Sequence, residues 1–231
     1  MGQDRVQRLP ALRHFAACSA CSVSLAMAIP MGDRFTHLQD ARLVAVQSLV
    51  STRVRELAAL AGAGGFEEFF DATMRALLVE CLRAVGADEG SVWLLNEERT
   101  ELIARFNNGP NAANFVGRHR QPLSEGMISM VVSTEQPICE NEVNKNQRHD
   151  GKLDSKLRLR TCAMLAVPLY FAGELRGVVS AVQLRPADSP EPEPPGFTPQ
   201  HLGALQLAAS ILGRLMEKQF YAMALGLEEF A

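Results

Sequence analysis

The sequence predicts an α+β fold, with one central antiparallel sheet and helices packed on one of its faces. Two pairs of apolar segments are each joined by a short turn, and strands joined by tight turns are antiparallel neighbours. Amphipathic segments near both ends of the chain need an apolar partner, which one face of a sheet supplies. The 231 residues are 47% hydrophobic and 21% charged, as in folded globular proteins.

Three long amphipathic segments predict the main helices, at residues 36–61, 67–85 and 198–220. In the first, apolar residues recur at three- and four-residue spacing, and these are Leu43, Val46, Val50, Leu57 and Leu60. The glycines that follow are expected to end this helix, because glycine accepts the left-handed closing turn. Thr198 and Pro199 predict the start of the last helix, a cap residue followed by proline.

The strands are predicted from apolar segments at residues 91–96, 101–106, 136–140 and the two arms of 165–182. In the last pair, Phe171 to Glu174 forms the tight turn, and Pro168 lies inside the first arm. Proline gives no ladder hydrogen bond, so Pro168 is expected where the strand loses none.

The segments between the predicted strands are polar. Residues 107–120 are irregular, and Ser124 is a candidate N-cap for a short helix at 125–134. Residues 141–160 have few apolar side chains and are expected to form a loop with one short helix. The proline-rich residues 186–196 predict a solvated excursion before the last helix.

Six short segments occur in a defined order: GADEGSVWLL (86–95), PLSEG (122–126), QPI (136–138), Thr161 ahead of VPL (167–169), GEL-x-GV (173–178) and FT (197–198). Taken together with the predicted elements, they resemble the GAF domain family, small-molecule sensing modules of signalling proteins. The resemblance implies a ligand chamber on the sheet face opposite the helices, roofed by the polar residues 107–160. It divides the chain into a poorly ordered extension (1–34), a linker and dimer helix (35–62), the GAF domain (66–220) and a tail (221–231).

The same resemblance indicates where a ligand would bind. The expected contacts are Thr161, Arg148, His149, Asn141, Trp93 and Phe106. Thr161 matches the threonine that precedes the family's Val-Pro strand. Trp93 and Phe106 lie on strands whose side chains alternate between faces, so core packing is the alternative for both.

The ligand itself is unknown from the sequence. Cyclic-nucleotide-binding members carry an N-K…F-x-x-x-D-E pattern, and the corresponding residues here are Gln183, Leu184, Phe197, His201 and Leu202. Both ion-pair partners are missing, so a cyclic nucleotide stays an alternative with most of its motif absent. Bilin attachment is disfavoured, because no cysteine adjoins Arg148 and His149 in the lid.

No catalytic constellation stands out, and we expect a binding module rather than an enzyme. Cys139 and Cys162 are the candidates for a nucleophile and resolving thiol, as in the family's methionine-sulfoxide reductase, but its cysteine motifs are absent. No metal site is expected, since Cys18 and Cys21 form a single CxxC without a second pair. The odd number of five cysteines favours a reducing, cytoplasmic compartment.

The expected partners are a second copy of the chain, bound through the terminal helices, and a signalling protein that supplies the output. The net charge of −3 gives no basic excess for nucleic acid, and no apolar run has membrane length.

The rival hypothesis is a degenerate module that only dimerises, its chamber filled by Met127, Met130 and Met164. For residues 1–30 the sequence leaves three alternatives: a signal-like segment, an unstructured extension or an upstream start.

Overall fold

The computed structural model describes residues 41–227, and the predictions made for residues 1–40 lie outside them. The helices are α1 Ala41–Leu60, α2 Phe66–Phe69, α3 Ala72–Ala84, α4 Ala112–Phe115, α5 Met127–Thr134, α6 Lys152–Leu157 and α7 Pro199–Ala224. The strands are β1 Glu89–Leu95, β2 Glu101–Asn107, β3 Arg120–Pro122, β4 Ile138–Glu140, β5 Leu159–Phe171 and β6 Glu174–Pro186. A single 3-10 turn, Val143–Lys145, lies in the polar segment.

The six strands form one sheet in the order β3-β2-β1-β6-β5-β4, with antiparallel neighbours throughout, so the predicted fold class is confirmed. At the predicted hairpin turn, Ala172 and Gly173 have φ values of 53° and 77°. Two residues of positive φ match the twist of the strands they join. β4 pairs with β5 as far as Ala166, so Pro168 lies where β5 has only one neighbour.

Helices α1, α3 and α7 cover one face of the sheet and enclose the larger apolar core, as predicted. Representative members are Val54, Leu78, Leu165, Val179 and Leu212. Thr198 caps α7 as expected, because its side chain accepts a hydrogen bond from the His201 backbone N. In residues 41–227, no helix combines the length and apolarity needed to cross a bilayer.

The face of α1 that is buried differs from the face that the apolar spacing predicts. Val50 is buried as expected, but Val46 and Leu60 are exposed, while Val54 and Ala58 are buried. These buried residues of α1 belong to the helix-side core, and α1 lies in contact with α7. The leucine and valine spacing alone therefore indicated a helix but selected the wrong face.

Two helix boundaries differ from the predicted ones. The segment expected to be continuous at 67–85 breaks at Phe70, and the Asp71 side chain caps α3 by accepting a hydrogen bond from Met74 N at 2.8 Å. The short helix expected from 125 begins at Met127. Gly126, with φ of 82°, occupies the N-cap position, so the predicted cap at Ser124 is wrong.

A β-bulge in β2 changes which side chains reach each face of the sheet. Val92 pairs with Phe106 while Trp93 pairs with Ala104, so Arg105 is an extra residue without a partner. Its guanidinium donates to the carbonyl oxygen of Gly62, just after α1, at 2.6 Å. Beyond the bulge the alternation is reversed, which places Phe106 in the helix-side core.

A second bulge acts in the same way in β5. Thr161 pairs with Leu184 and Ala163 pairs with Gln183, so Cys162 is the extra residue. Ala163 belongs to the helix-side core, and Thr161 points to the opposite face. That opposite face carries a smaller apolar cluster, which includes Trp93, Phe115 and Ile128 and is covered by α4, α5 and α6.

Candidate functional site

A cavity of about 100 Å³ lies between the second face of the sheet and the polar segments that cover it. Its wall consists of residues from β1, β2, β5 and β6, namely Glu89, Ser91, Trp93, Asn107, Leu159, Thr161, Met164, Ser180, Val182 and Leu184. Its roof consists of Phe115, His119, Gln121, Gly126, Met127, Ile128, His149, Asp150, Leu153, Asp154 and Leu157. The alternation of β1 directs Glu89, Ser91 and Trp93 to this side.

Trp93 forms the aromatic part of the wall. Its indole Nε1 donates a hydrogen bond to Ser180 Oγ on β6 at 3.1 Å, which fixes the ring against the sheet. The ring stacks on Phe115, with centroids 6.4 Å apart, and meets the edge of His119 at 5.9 Å. These contacts join α4 and the segment after it to the sheet, and they leave the indole as an apolar surface of the cavity.

Asp154 on α6 holds the roof to the wall. Its Oδ2 accepts a hydrogen bond from the Thr161 backbone N, and its Oδ1 accepts one from Thr161 Oγ1, both at 2.8 Å. His149 Nε2 lies 3.1 Å from the same carboxylate. One half-buried carboxylate thus connects α6, β5 and the loop that precedes α6.

Glu89 is the most buried carboxylate of the cavity lining, with 7% of its surface exposed. Its Oε2 accepts a hydrogen bond from Asn107 Nδ2 at 3.2 Å, and the same amide lies 3.0 Å from Ser91 Oγ. Burial raises the pKa of Glu89, the Asn107 hydrogen bond opposes this, and the neighbouring Asp88 charge adds to it. No lysine, arginine or histidine of residues 44–227 forms an ion pair with Glu89.

Two other titratable groups of the roof, His119 and Asp150, have shifted pKa values with identifiable causes. Burial lowers the pKa of His119, and the Lys156 charge lowers it further, which favours the neutral imidazole. Burial opposes ionisation of Asp150, but hydrogen bonds from the Lys152 backbone and Gln121 outweigh it and lower the pKa of this carboxyl. Lys152 Nζ also lies 3.4 Å from Asp150 Oδ2.

Three of the six residues expected to contact a ligand come together at this cavity. Trp93 and Thr161 lie in its wall, and His149 lies in its roof. Arg148 is exposed and lines a neighbouring, more open groove, where its Nη1 approaches Met130 Sδ at 3.0 Å.

The other two expected contacts do not line the cavity. Phe106 packs edge-on against Phe70 in the helix-side core, with centroids 5.1 Å apart, because the bulge at Arg105 turns it away. Asn141 binds the backbone of Phe197, accepting from its N at 2.7 Å and donating to its O at 2.9 Å. These two hydrogen bonds hold the end of the proline-rich segment next to the end of strand β4.

Sequence reasoning missed several polar residues of the cavity, chiefly Glu89, Ser91, Asn107, Asp154 and Ser180. A signal existed for Glu89 and Ser91, since polar residues alternate with apolar ones ahead of Trp93 in a strand that is otherwise apolar. Asn107 gave no such signal, because a bulge decides its face. Asp154 lies on a six-residue helix too short for a periodic pattern.

The candidate thiols are placed away from this cavity. Cys139 on β4 pairs in register with Leu165 on β5, and Leu165 lies three residues after Cys162. Neither cysteine lines the cavity. Burial raises the pKa of both thiols, that of Cys162 to about 11, which disfavours the thiolate needed for nucleophilic chemistry. In the described part of the chain, no three His, Cys, Asp or Glu side chains gather as metal ligands.

Comparison with known proteins decides the family. Residues 66–217 match the GAF domain family. The chain belongs to the GAF domain family. No curated protein matches the chain.

Solved structures similar to this GAF domain come from several bacteria. The GAF domain of a phosphoenolpyruvate-protein phosphotransferase from Coxiella burnetii is 20% identical, with a TM-score of 0.52 over 78% of this chain and 97% of that one. The equivalent Acinetobacter domain is 20% identical, with a TM-score of 0.48 over 67% and 94%. A free methionine-R-sulfoxide reductase from Neisseria meningitidis, solved with its substrate, is 17% identical, with a TM-score of 0.46 over 77% and 90%. The Coxiella domain shares the fold.

Proposed function

We propose that this GAF domain is a sensory or regulatory module that binds a small molecule in the cavity beside Trp93 and transmits the bound state to a partner protein. The observation that carries the proposal is the set of buried polar side chains facing this cavity. Buried polar groups are costly unless they are satisfied, and an interior needed only for packing would place apolar residues there. GAF domains are commonly sensory or regulatory modules of signalling proteins.

The size of the cavity favours a compact ligand. Pockets for drug-sized ligands have volumes of roughly 300 Å³ or more, whereas this one measures about 100 Å³. A nucleotide would require the roof formed by α6 to move outward. The absence of the ion-pair residues at Leu184 and His201 also argues against the cyclic-nucleotide alternative.

The proposal includes no catalytic step. The two candidate thiols are separated and have raised pKa values, so binding is the chemistry that the cavity supports best. The described cysteines Cys81, Cys139 and Cys162 are free thiols, which suits the cytoplasmic location that we propose.

A thermal-shift screen tests the proposed function directly. A library of small metabolites, including cyclic nucleotides, should contain compounds that raise the Tm of the chain, because binding to the folded state alone stabilises it. Val182 lines the cavity on β6, so Val182→Phe should fill the space and abolish these shifts. Val79→Phe on the exposed side of α3 is the matched control and should keep them.

Two results would contradict ligand sensing. A library that leaves the Tm unchanged, together with no small molecule in the mass spectrum of the purified protein, favours the degenerate module. Equal shifts in the wild type and Val182→Phe would place binding elsewhere.

Dimerisation is the second part of the proposal, and exposed apolar side chains of α1 favour it. Val46 and Leu49 are 50% and 69% exposed, and on α7 Leu207 is 62% exposed. A second copy of the chain would cover such residues, as expected for the terminal helices. The degenerate alternative uses the same surface, and Met127 and Met164 already occupy part of the cavity lining.

Light scattering on the full chain separates these outcomes. The wild type should be dimeric, and Leu49→Glu should be monomeric because a buried unpaired charge is costly. Val79→Glu on α3 is the control and should stay dimeric. A monomeric wild type would refute dimerisation through these helices.

A further inference from the structure

Among residues 44–227, no cationic side chain pairs with the carboxylate of Glu89. The residue is 7% exposed, and its carboxylate accepts a hydrogen bond from the neutral Asn107 amide at 3.2 Å. Gly109 packs closely on this carboxyl group, where a β-carbon would lie 2.0 Å from its Cδ. A buried carboxylate normally pairs with a cation or gives up its charge.

The cavity as a whole is acidic. Its lining contains the carboxylates of Glu89, Asp150 and Asp154, and among the described residues no lysine or arginine lines it. Asp150 has Lys152 at 3.4 Å, on the solvent side. Asp154 is occupied by Thr161 and the His149 ring. Glu89 is therefore the carboxylate left for a ligand.

The same wall of the cavity also offers an apolar aromatic surface, further along β1 from Glu89. The Trp93 ring, stacked with Phe115, faces the same space as Glu89. An aromatic face attracts cations and also buries short alkyl chains. A compact ligand that met both groups would carry a positive charge at one end and an apolar body at the other.

We propose that the cavity binds a small protonated amine, with its ammonium group at Glu89 and its apolar part against Trp93. This inference rests on the proposed function and narrows its ligand class. The ammonium would form a charge-assisted hydrogen bond to the carboxylate. An anionic ligand would instead meet three carboxylates and no lining arginine or lysine among the described residues.

A matched series of probes tests the charge preference on the full chain. The probes are n-butylammonium chloride, 1-butanol and sodium butyrate, titrated at equal ionic strength. The sequence contains one tryptophan, so the spectrum of ¹⁵N-labelled protein has a single indole signal, which reports on the cavity. Butylammonium should shift this signal saturably, with an affinity at least about tenfold above that of the other two probes.

Two variants assign the effect to Glu89. Glu89→Gln keeps the shape and a hydrogen-bond acceptor for Asn107 while removing the charge, and should weaken butylammonium binding by about tenfold or more. Glu97→Gln removes an exposed glutamate outside the cavity lining and should leave the affinity unchanged.

The contradicting outcomes separate this inference from the proposed function. Binding of butanol or butyrate that equals or exceeds that of butylammonium overturns the inference, as does an unchanged affinity in Glu89→Gln. Absence of saturable binding by all three probes also overturns it. None of these results alone contradicts the proposed function, which falls if the broad thermal-shift screen and the mass spectrum are blank or if wild type and Val182→Phe show equal shifts.

Discussion

Thr161 donates two hydrogen bonds to the same carboxylate, from its backbone N to Asp154 Oδ2 and from its Oγ1 to Asp154 Oδ1, both at 2.8 Å. This pair joins the short helix α6 to the start of strand β5. Helix α6 has six residues and none of them is buried, although Leu153 and Leu157 pack partly buried against the smaller apolar cluster. The carboxylate therefore adds a polar attachment to a limited apolar one. The position of the cavity roof therefore depends on this pair.

Thr161→Val tests the attachment, because it removes the Oγ1 donor and leaves the shape and the backbone donor. We expect a loss of about 1.5–3 kcal/mol in the free energy of unfolding, the range for a hydrogen bond to a charged group. Thr73→Val on the exposed side of α3 is the control and should change the free energy by less than about 0.5 kcal/mol. Urea unfolding measures both, and equal values would show that the pair does not hold the roof.

Gly213 allows α7 to lie directly on β5. A β-carbon at this position would lie 2.0 Å from the carbonyl oxygen of Tyr170, so Gly213→Ala must push the helix away and should cost about 1–3 kcal/mol. Gly203, in the same helix, has no atom within 4 Å of a built β-carbon. Gly203→Ala should therefore stabilise the protein by about 0.5–1 kcal/mol. Thermal unfolding that shows the same sign for both variants would contradict this packing.

Glu89 should make stability depend on pH in a defined direction. Burial raises the pKa of this carboxyl in the folded protein, so its contribution is fully present below the ordinary glutamate pKa of about 4. That contribution is lost as the pH rises through the higher folded-state pKa. Relative to the non-titrating Glu89→Gln, the wild type should lose free energy of unfolding between pH 4 and pH 7.

Urea unfolding of the two proteins across this pH range checks the sign. Titration of all other groups is common to both proteins, so the difference between their free energies isolates Glu89. A difference that is constant, or that favours the wild type as the pH rises, would mean that the Glu89 carboxylate is not desolvated.

Much of the fold could be predicted because strand alternation and helix periodicity were intact over long stretches. The β5–β6 hairpin followed from two apolar runs and the pair Ala172-Gly173, and the start of α7 followed from Thr198 and Pro199. The buried face of α1 could not be predicted. Its buried residues include Ala58, and the small apolar surface of alanine gives little periodic signal.

The candidate site was predicted less completely, since two bulges decide which residues face it. Simple alternation from Leu102 and Ala104 would send Phe106 to the cavity, whereas the extra residue Arg105 sends it to the core. The bulge at Cys162 similarly brings Thr161 to the cavity side. A bulge adds one residue without any distinctive residue type here, so neither position could be inferred from the sequence alone.

Trp93 gives the most direct test of the central claim that a small molecule binds in the cavity in front of the sheet. The chain has a single tryptophan, and it lines this cavity, so its fluorescence emission reports on this site. Titration with any compound that raises the Tm should change the emission saturably in the wild type and not in Val182→Phe. Compounds that raise the Tm while leaving the Trp93 emission unchanged would contradict the account.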